Sequence, residues 1–330
     1  MRLSENISEL IGHTPLVRLQ TGIPIGGPRA YVKLEYLNPS GSVKDRMVLH
    51  VVQKAFDEGQ LKPGDTIIDN TSGNTGVSMG MVAAVYGLKA IIVTPEKTSK
   101  EKVDLIRSYG VEVVITPTEA LHNDPEGCYL VARRIAKENG YFDLDQYDSQ
   151  DNVESHYLTT GPEIWEDTDG QITHFVCGIG TGGTFSGAAR YLKEMNPAIK
   201  MIAVDPVGSV FTEFIQTERI VEALNYKVEG IGSDVVTKAL HPHLVDQVIT
   251  VSDEASFNRA RLVARTDGIS GGGSSGTIAV AMEQIAVDLD SSALIVGIFA
   301  DAGIRYLSKC YNDQWMLKYG FLKPSKEVQR

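Results

Sequence analysis

Four segments of the chain carry residue types that could do chemistry. The first is Asn38-Pro39-Ser40-Gly41-Ser42-Val43-Lys44-Asp45-Arg46, a lysine at the mouth of a helix behind a Pro/Ser/Gly turn. A positive helix end lowers the pKa of a neighbouring ammonium, which suits an amine nucleophile that must form an imine. A lysine in a solvated loop is the plain alternative. The second is Thr71-Ser72-Gly73-Asn74-Thr75-Gly76, where hydroxyls and an amide surround two glycines at a helix start. Such a loop can seat a small carboxylate or phosphate, or serve only as an N-cap. The third is Gly178-Ile179-Gly180-Thr181-Gly182-Gly183-Thr184, between an apolar strand and a helix. Glycine there allows positive φ and close approach, so backbone N–H groups can converge on a phosphate. The fourth, Ser270-Gly271-Gly272-Gly273-Ser274-Ser275-Gly276, also opens a helix. It has the composition of a flexible linker but is short and flanked by structured patterns.

The third segment also satisfies G-x-G-x-x-G through Gly178, Gly180 and Gly183. Asp205 ends the next strand where a ribose-binding acid would stand, so a nicotinamide dehydrogenase is a rival. That alternative leaves Lys44 and the Thr71–Gly76 loop without a purpose.

These loops need rigid elements to aim them, and the hydrophobic periodicity supplies them. Helices are predicted over 47–58, 77–86, 99–109 and 126–139, and strands over 66–69, 90–93, 111–115, 175–176, 201–204, 248–251 and 294–299. Ser99 is the expected cap of the third helix. The alternation implies an α/β fold with mostly parallel sheets covered on both faces. The polar stretch from Asp143 to Asp151 is the best candidate boundary, and its acids read as a solvated connection. Arg133-Arg134 reads as a wet helix face.

Composition narrows the classes. The chain has 330 residues, 42% apolar and 22% charged, which suits about two globular domains. A net charge of -11 disfavours nucleic acid and anionic lipid as partners. No apolar stretch is long enough to span a bilayer, and no secretory signal opens the sequence. Cys128, Cys177 and Cys310 stand far apart, which points to a reducing compartment, so a cytoplasmic location is expected.

Taken together, the Lys44 segment, the Thr71–Gly76 loop and the Gly180–Thr184 loop resemble the signature of fold type II pyridoxal-phosphate enzymes, the cysteine synthase and cystathionine β-synthase group. The resemblance runs from Ile11-Gly12-His13-Thr14-Pro15-Leu16 to Asp301. It implies a two-domain α/β fold, each domain a mostly parallel sheet covered by helices. Residues 47–151 would form a smaller mobile domain; 1–46 and 152–330 would form the larger, cofactor-binding one. It implies pyridoxal 5'-phosphate as cofactor, carried through an imine on Lys44. Asn74 would meet the cofactor's 3′-oxygen, Gly180, Thr181, Gly182, Gly183 and Thr184 its phosphate, and Ser274 its ring nitrogen. Thr71, Ser72, Thr75 and Gln146 would hold the substrate carboxylate. A serine at the ring nitrogen does not force protonation as an aspartate would, so loss of a β-substituent is favoured over transamination.

Within the group, Lys100-Glu101-Lys102-Val103-Asp104, His156-Tyr157, Val228-Glu229-Gly230-Ile231-Gly232 and Gln314-Trp315-Met316-Leu317 lean toward cystathionine β-synthase. Thr159-Thr160-Gly161-Pro162-Glu163-Ile164 is equally at home in cysteine synthases. Ser233 stands where the former pattern has a tyrosine, before the shared Asp234. Tyr157, Gly230, Ser233 and Asp234 are the expected contacts of the second substrate. The expected reaction is β-replacement joining L-serine and L-homocysteine. Alternatives are O-acetylserine with sulfide, and cysteine cleavage releasing sulfide. A homodimer acting on small amino acids is implied, without the heme-binding extension or regulatory domain pair of some members.

Overall fold

A computed structural model describes residues 3–71, 73–96, 98, 100–118, 120 and 124–323. Strands β1 (Leu16–Arg18), β2 (Arg29–Leu34), β7 (His174–Gly178), β8 (Lys200–Pro206), β9 (Gln247–Val251) and β10 (Leu294–Phe299) form one sheet in the order β1-β2-β10-β7-β8-β9. β3 (Thr66–Asn70), β4 (Lys89–Pro95), β5 (Glu112–Thr116) and β6 (Phe142–Asp143) form another, in the order β5-β4-β3-β6. Every pairing between these strands is parallel except β1 with β2. The sheet sequences explain this. Along β7, Phe175 and Cys177 enter one apolar cluster and Val176 the other, so both faces are covered and the strand reads as a continuous apolar run.

Helices cover both sheets. α1 (Lys44–Asp57), α2 (Asn74–Tyr86), α3 (Lys100–Ser108) and α4 (Cys128–Asn139) flank the four-stranded sheet. α5 (Gln150–Leu158) packs against α1, α6 (Thr160–Asp167) and α7 (Gly183–Met195), while α9 (Asp253–Thr266) and α10 (Gly273–Ala286) pack together beside the larger sheet. β1, β2 and β6 are elements that periodicity missed, being short or, in β2, mixed with Arg29, Tyr31 and Lys33. Lys33 is fully buried in an ion pair with Glu163 at 2.9 Å.

This topology places the loops. β10 lies between β2 and β7, so their carboxyl ends adjoin. Those ends lead to the Lys44 turn, to Asp301 and to the glycine loop. β3 adjoins β6, so their exits bring Thr75 next to Gln146. Ligands of open α/β sheets bind at such carboxyl ends. Two sequence expectations change here. Arg133 ion-pairs with Asp145 at 2.7 Å and stacks on Tyr129 at 4.4 Å, and Lys238 pairs with Asp148 at 2.8 Å, so acids of the Asp143–Asp151 connection are paired by cations from elsewhere in the chain. Ser72 and Ser99 lie outside the described residues.

Candidate active site

The Lys44 turn is held by a set of polar side chains. Asn38 accepts from the Gly12 amide at 2.8 Å and donates to Glu35. The Ser40 amide donates to Asp45 at 2.7 Å. Arg46 pairs with Glu35 at 2.7 Å and with Glu163 at 2.6 Å. Val43 donates to the Ala300 carbonyl at 2.9 Å, tying the turn to the exit of β10. Lys44 itself opens α1 and lines a cavity with Cys177, Gly180, Thr181 and Ser274. Among the described residues no carboxylate ion-pairs with it. Burial pushes its ammonium pKa down, against the opposing pull of Cys177, Asp69 and Asp301.

Across the cavity lie Gly180, Thr181, Gly182, Thr184, Gly230 and Ser274. Gly182 caps α7 at φ 93°, where only glycine is unstrained, and a Cβ there would lie 2.6 Å from Leu240 backbone. A Cβ on Gly180 would lie 2.5 Å from the Gly230 carbonyl, so these two loops touch. Gly183 packs against Asn152, whose amide donates to Thr181 Oγ1 at 2.9 Å and to the Gln146 carbonyl at 2.7 Å. Asn152 therefore joins the glycine loop to Gln146. Nothing in its spacing marks it; only the approach of α5 to α7 gives it this position. His156 likewise supports the cradle, its Nε2 3.1 Å from Thr184 Oγ1 and its Nδ1 2.8 Å from Thr160 Oγ1. Burial, with Arg46 and Lys44 nearby, drives its pKa well below the usual histidine range, so the ring is neutral.

The second cluster lies at the start of α2. Thr71 Oγ1 accepts from the Gly73 amide at 3.2 Å. Thr75 donates to Gln146 Oε1 at 2.7 Å, and Gln146 Nε2 donates to the Asn70 carbonyl at 2.6 Å. Asn74 is tied to Asp301 at 2.8 Å, which links this cluster to the wall holding Lys44. The candidate second-substrate residues scatter. Gly230 lines the cavity. Ser233 is buried, and its hydroxyl accepts from the Val235 amide at 3.1 Å in its own turn. Asp234 is exposed and close enough to Tyr147, Tyr226 and Cys128 to affect their titration. Tyr157 is a correction. Its hydroxyl donates to Glu194 at 2.7 Å and its ring stacks under Arg190 at 3.9 Å, on the outside of α7. One helical step of about 100° separates it from His156, which takes the inward face.

The dehydrogenase alternative loses its acid as well. Asp205 accepts from the amide and hydroxyl of Thr212, both at 2.9 Å, and caps α8 (Phe211–Thr217). Pyridoxal phosphate fits what lines the cavity instead. A buried amine lacks a carboxylate partner, a glycine cradle is walled by backbone, and Ser274 lines the cavity without a hydrogen bond to the described residues.

The comparisons with known proteins agree. Residues 7–301 match the family "Pyridoxal-phosphate dependent enzyme". The chain is 43% identical to a cystathionine beta-synthase of Apis mellifera over 98% of its own length and 64% of the relative's. It is 41% identical to that of Mus musculus over 100% of its length and 59% of the relative's. It thus spans about six-tenths of these relatives. A cysteine synthase of Staphylococcus aureus (strain Mu50 / ATCC 700699) is 39% identical, matched over 92% of this chain and 96% of that protein. Among solved structures, O-ureido-L-serine synthase superposes with a TM-score of 0.88 at 33% identity, covering 99% of both chains. The buried amine opposite a glycine cradle thus has its explanation in shared descent: the chain belongs to the pyridoxal-phosphate dependent enzymes of fold type II, with pyridoxal phosphate as cofactor.

Proposed function

We propose that this protein joins L-serine and L-homocysteine into cystathionine by β-replacement. The observation that carries the β-replacement chemistry is the pairing of buried Lys44 with the unbonded Ser274 hydroxyl across one cavity. The cystathionine β-synthase relatives support the choice of substrates. Bound there, the cofactor supplies an electron sink for charge at the substrate Cα. The chain's own residues do the rest. Lys44 anchors the cofactor, takes the Cα proton and later returns one. Its lowered pKa keeps more of the amine neutral at a given pH than in free lysine. Gly180 to Thr184 hold the phosphate with backbone N–H groups at the start of α7. Thr71, Ser72, Thr75 and Gln146 hold the carboxylate. Gly230 and Asp234 flank the second substrate.

We take 47–151 as the smaller, mobile domain; the four-stranded sheet lies wholly within it and the six-stranded sheet wholly outside. The proposal includes a homodimer in the cytoplasm, consistent with three free cysteines. Among the described residues no helix is long and apolar enough to cross a membrane.

A cysteine synthase activity is the second reading. It is favoured by the Staphylococcus relative, which this chain matches over 96% of that protein. Mass spectrometry of products from serine with homocysteine, O-acetylserine with sulfide, and cysteine alone decides. Cystathionine as the fastest product supports the first reading. Cysteine from O-acetylserine without cystathionine establishes the second, and sulfide with serine from cysteine alone marks a lyase.

A further inference from the structure

Asn74 is held at both ends of its amide. Its Nδ2 donates to Asp301 Oδ2 at 2.8 Å, and its Oδ1 accepts from Arg305 Nη1. The two partners differ in kind. A guanidinium only donates, and an ionised carboxylate only accepts. The amide therefore has one favoured orientation; a half-turn would set N–H against guanidinium and carbonyl against carboxylate. The partners are themselves fixed. Arg305 Nη2 donates to the Ser40 carbonyl, in the turn that carries Lys44. Asp301, 1% exposed, also accepts the Tyr306 hydroxyl at 2.6 Å, and its backbone bridges to Ser42.

One N–H of the Asn74 amide is committed to Asp301, which leaves the other for a ligand. We propose that Arg305 and Asp301 are positioning residues that present Asn74 to the cofactor's 3′-oxygen N–H first. The proposal rests on the reading of Asn74 as the residue that meets that oxygen. An N–H there favours the deprotonated oxygen, whereas a carbonyl would repel it and favour the protonated one. The sequence shows only an Asp and an Arg four apart near the end of the chain; the clamp exists because the exit of β10 meets the start of α2.

The test uses the cofactor-loaded protein and the variants Arg305→Ala, Arg305→Lys, Arg305→Ala with Asp301→Asn, and Asn74→Ala. The ratio of visible to near-ultraviolet absorbance of the bound cofactor reports protonation of the 3′-oxygen. Fluorescence titration of the apoprotein gives the cofactor Kd, and its melting temperature reports the fold. Arg305→Ala is expected to shift the band ratio about fivefold toward the near-ultraviolet, the equivalent of one hydrogen bond. The double variant shifts it further, and Arg305→Lys, which keeps a donor, stays near the wild-type ratio. Should the double variant fail to fold, the contrast between Arg305→Ala and Arg305→Lys still decides. An unchanged ratio in Arg305→Ala, beside a shifted ratio in Asn74→Ala, overturns the clamp and leaves the Asn74 reading intact. An unchanged ratio in Asn74→Ala overturns both. Lower melting and weaker cofactor binding with no change in ratio mark Arg305 as merely structural and also overturn the proposal.

Discussion

At the scale of single residues, the proposed chemistry rests on one amine. Lys44 is buried, its ammonium is disfavoured by that burial, and the neighbouring polar side chains are already committed to one another. Borohydride reduction of the loaded protein followed by peptide mapping should place the cofactor on Lys44, and Lys44→Ala should abolish both label and turnover; a label on another lysine refutes the assignment. Ser274 should behave differently. Ser274→Ala removes one hydrogen bond, so turnover should fall about fivefold with cofactor retained. Ser274→Asp should cost more, because a carboxylate would draw a proton onto the ring. Equal steady-state rates in wild type and Ser274→Asp would show that Ser274 does not face the ring nitrogen. The turns that carry Lys44 and Ser274 were both legible in the sequence, the first as a Pro/Ser/Gly turn and the second as a glycine run, each before a helix. Asn152, Asp301 and Arg305 were not. Their neighbours in sequence say nothing about partners that approach from other elements.

At the scale of elements, the start of α1 depends on a buried ionic cluster. Arg46 joins Glu35 to Glu163, and Lys33 adds a second cation on Glu163. Burial would raise the Glu163 carboxyl, but the Arg46 hydrogen bonds and charge, with Lys33, hold it at about 2. Its folded value thus lies below the ordinary carboxylate value, so its contribution to stability is complete above about pH 4.5 and is lost as the pH falls toward 2. Urea unfolding of Glu163→Gln should show a shallower loss of stability over that window than wild type; parallel curves would mean Glu163 is not so perturbed. Arg46→Ala should cost about 3–5 kcal/mol, because it leaves the buried Glu35 carboxylate without its ion-pair partner. Urea midpoints measure this, and a loss below about 1 kcal/mol would show that water replaces the guanidinium. α7 makes a parallel case. Gly182→Ala combines positive φ with a contact at 2.6 Å to Leu240 backbone and should weaken cofactor binding in an apoprotein titration far more than Gly230→Ala, which shares the positive φ, at 84°, but whose Cβ would meet nothing within 4 Å. Equal Kd values in the two variants would remove the cradle from Gly182.

At the scale of the whole molecule, the two sheets are linked across the site by Glu229, which accepts from Lys102 on α3 and from Lys309 near the end of the chain. Lys102 also lies along Gly73, where a Cβ would meet its Cδ at 3.0 Å, so this ion cluster reaches the start of α2. In Glu229→Gln the two ammonium groups lose their shared counter-charge. Amide exchange over 100–108 should then quicken more than over 183–195, and equal protection in both would show that the link does not hold α3. The sequence by itself determined the class of the fold and the kind of chemistry. Continuous apolar strands such as those at 175–176 and 294–299 can be satisfied only by sheets buried on both faces. Glycine loops that must take positive φ or admit backbone are visible as glycines wherever they fold. Tertiary structure alone decided which side chains meet. The order β2-β10-β7 brings Lys44, Asp301 and the glycine loop together from positions more than a hundred residues apart, and β3 beside β6 brings Thr75 to Gln146 across 71 residues. Tyr157 went the other way, since a shift of one residue along a helix turns a side chain by about 100° and only packing against α7 fixes which neighbour faces in. Local sequence carries dihedral preference and hydrophobic period, which are properties of neighbours along the chain; hydrogen bonds such as Asn74 to Asp301 depend on distances that exist only after the sheets have formed.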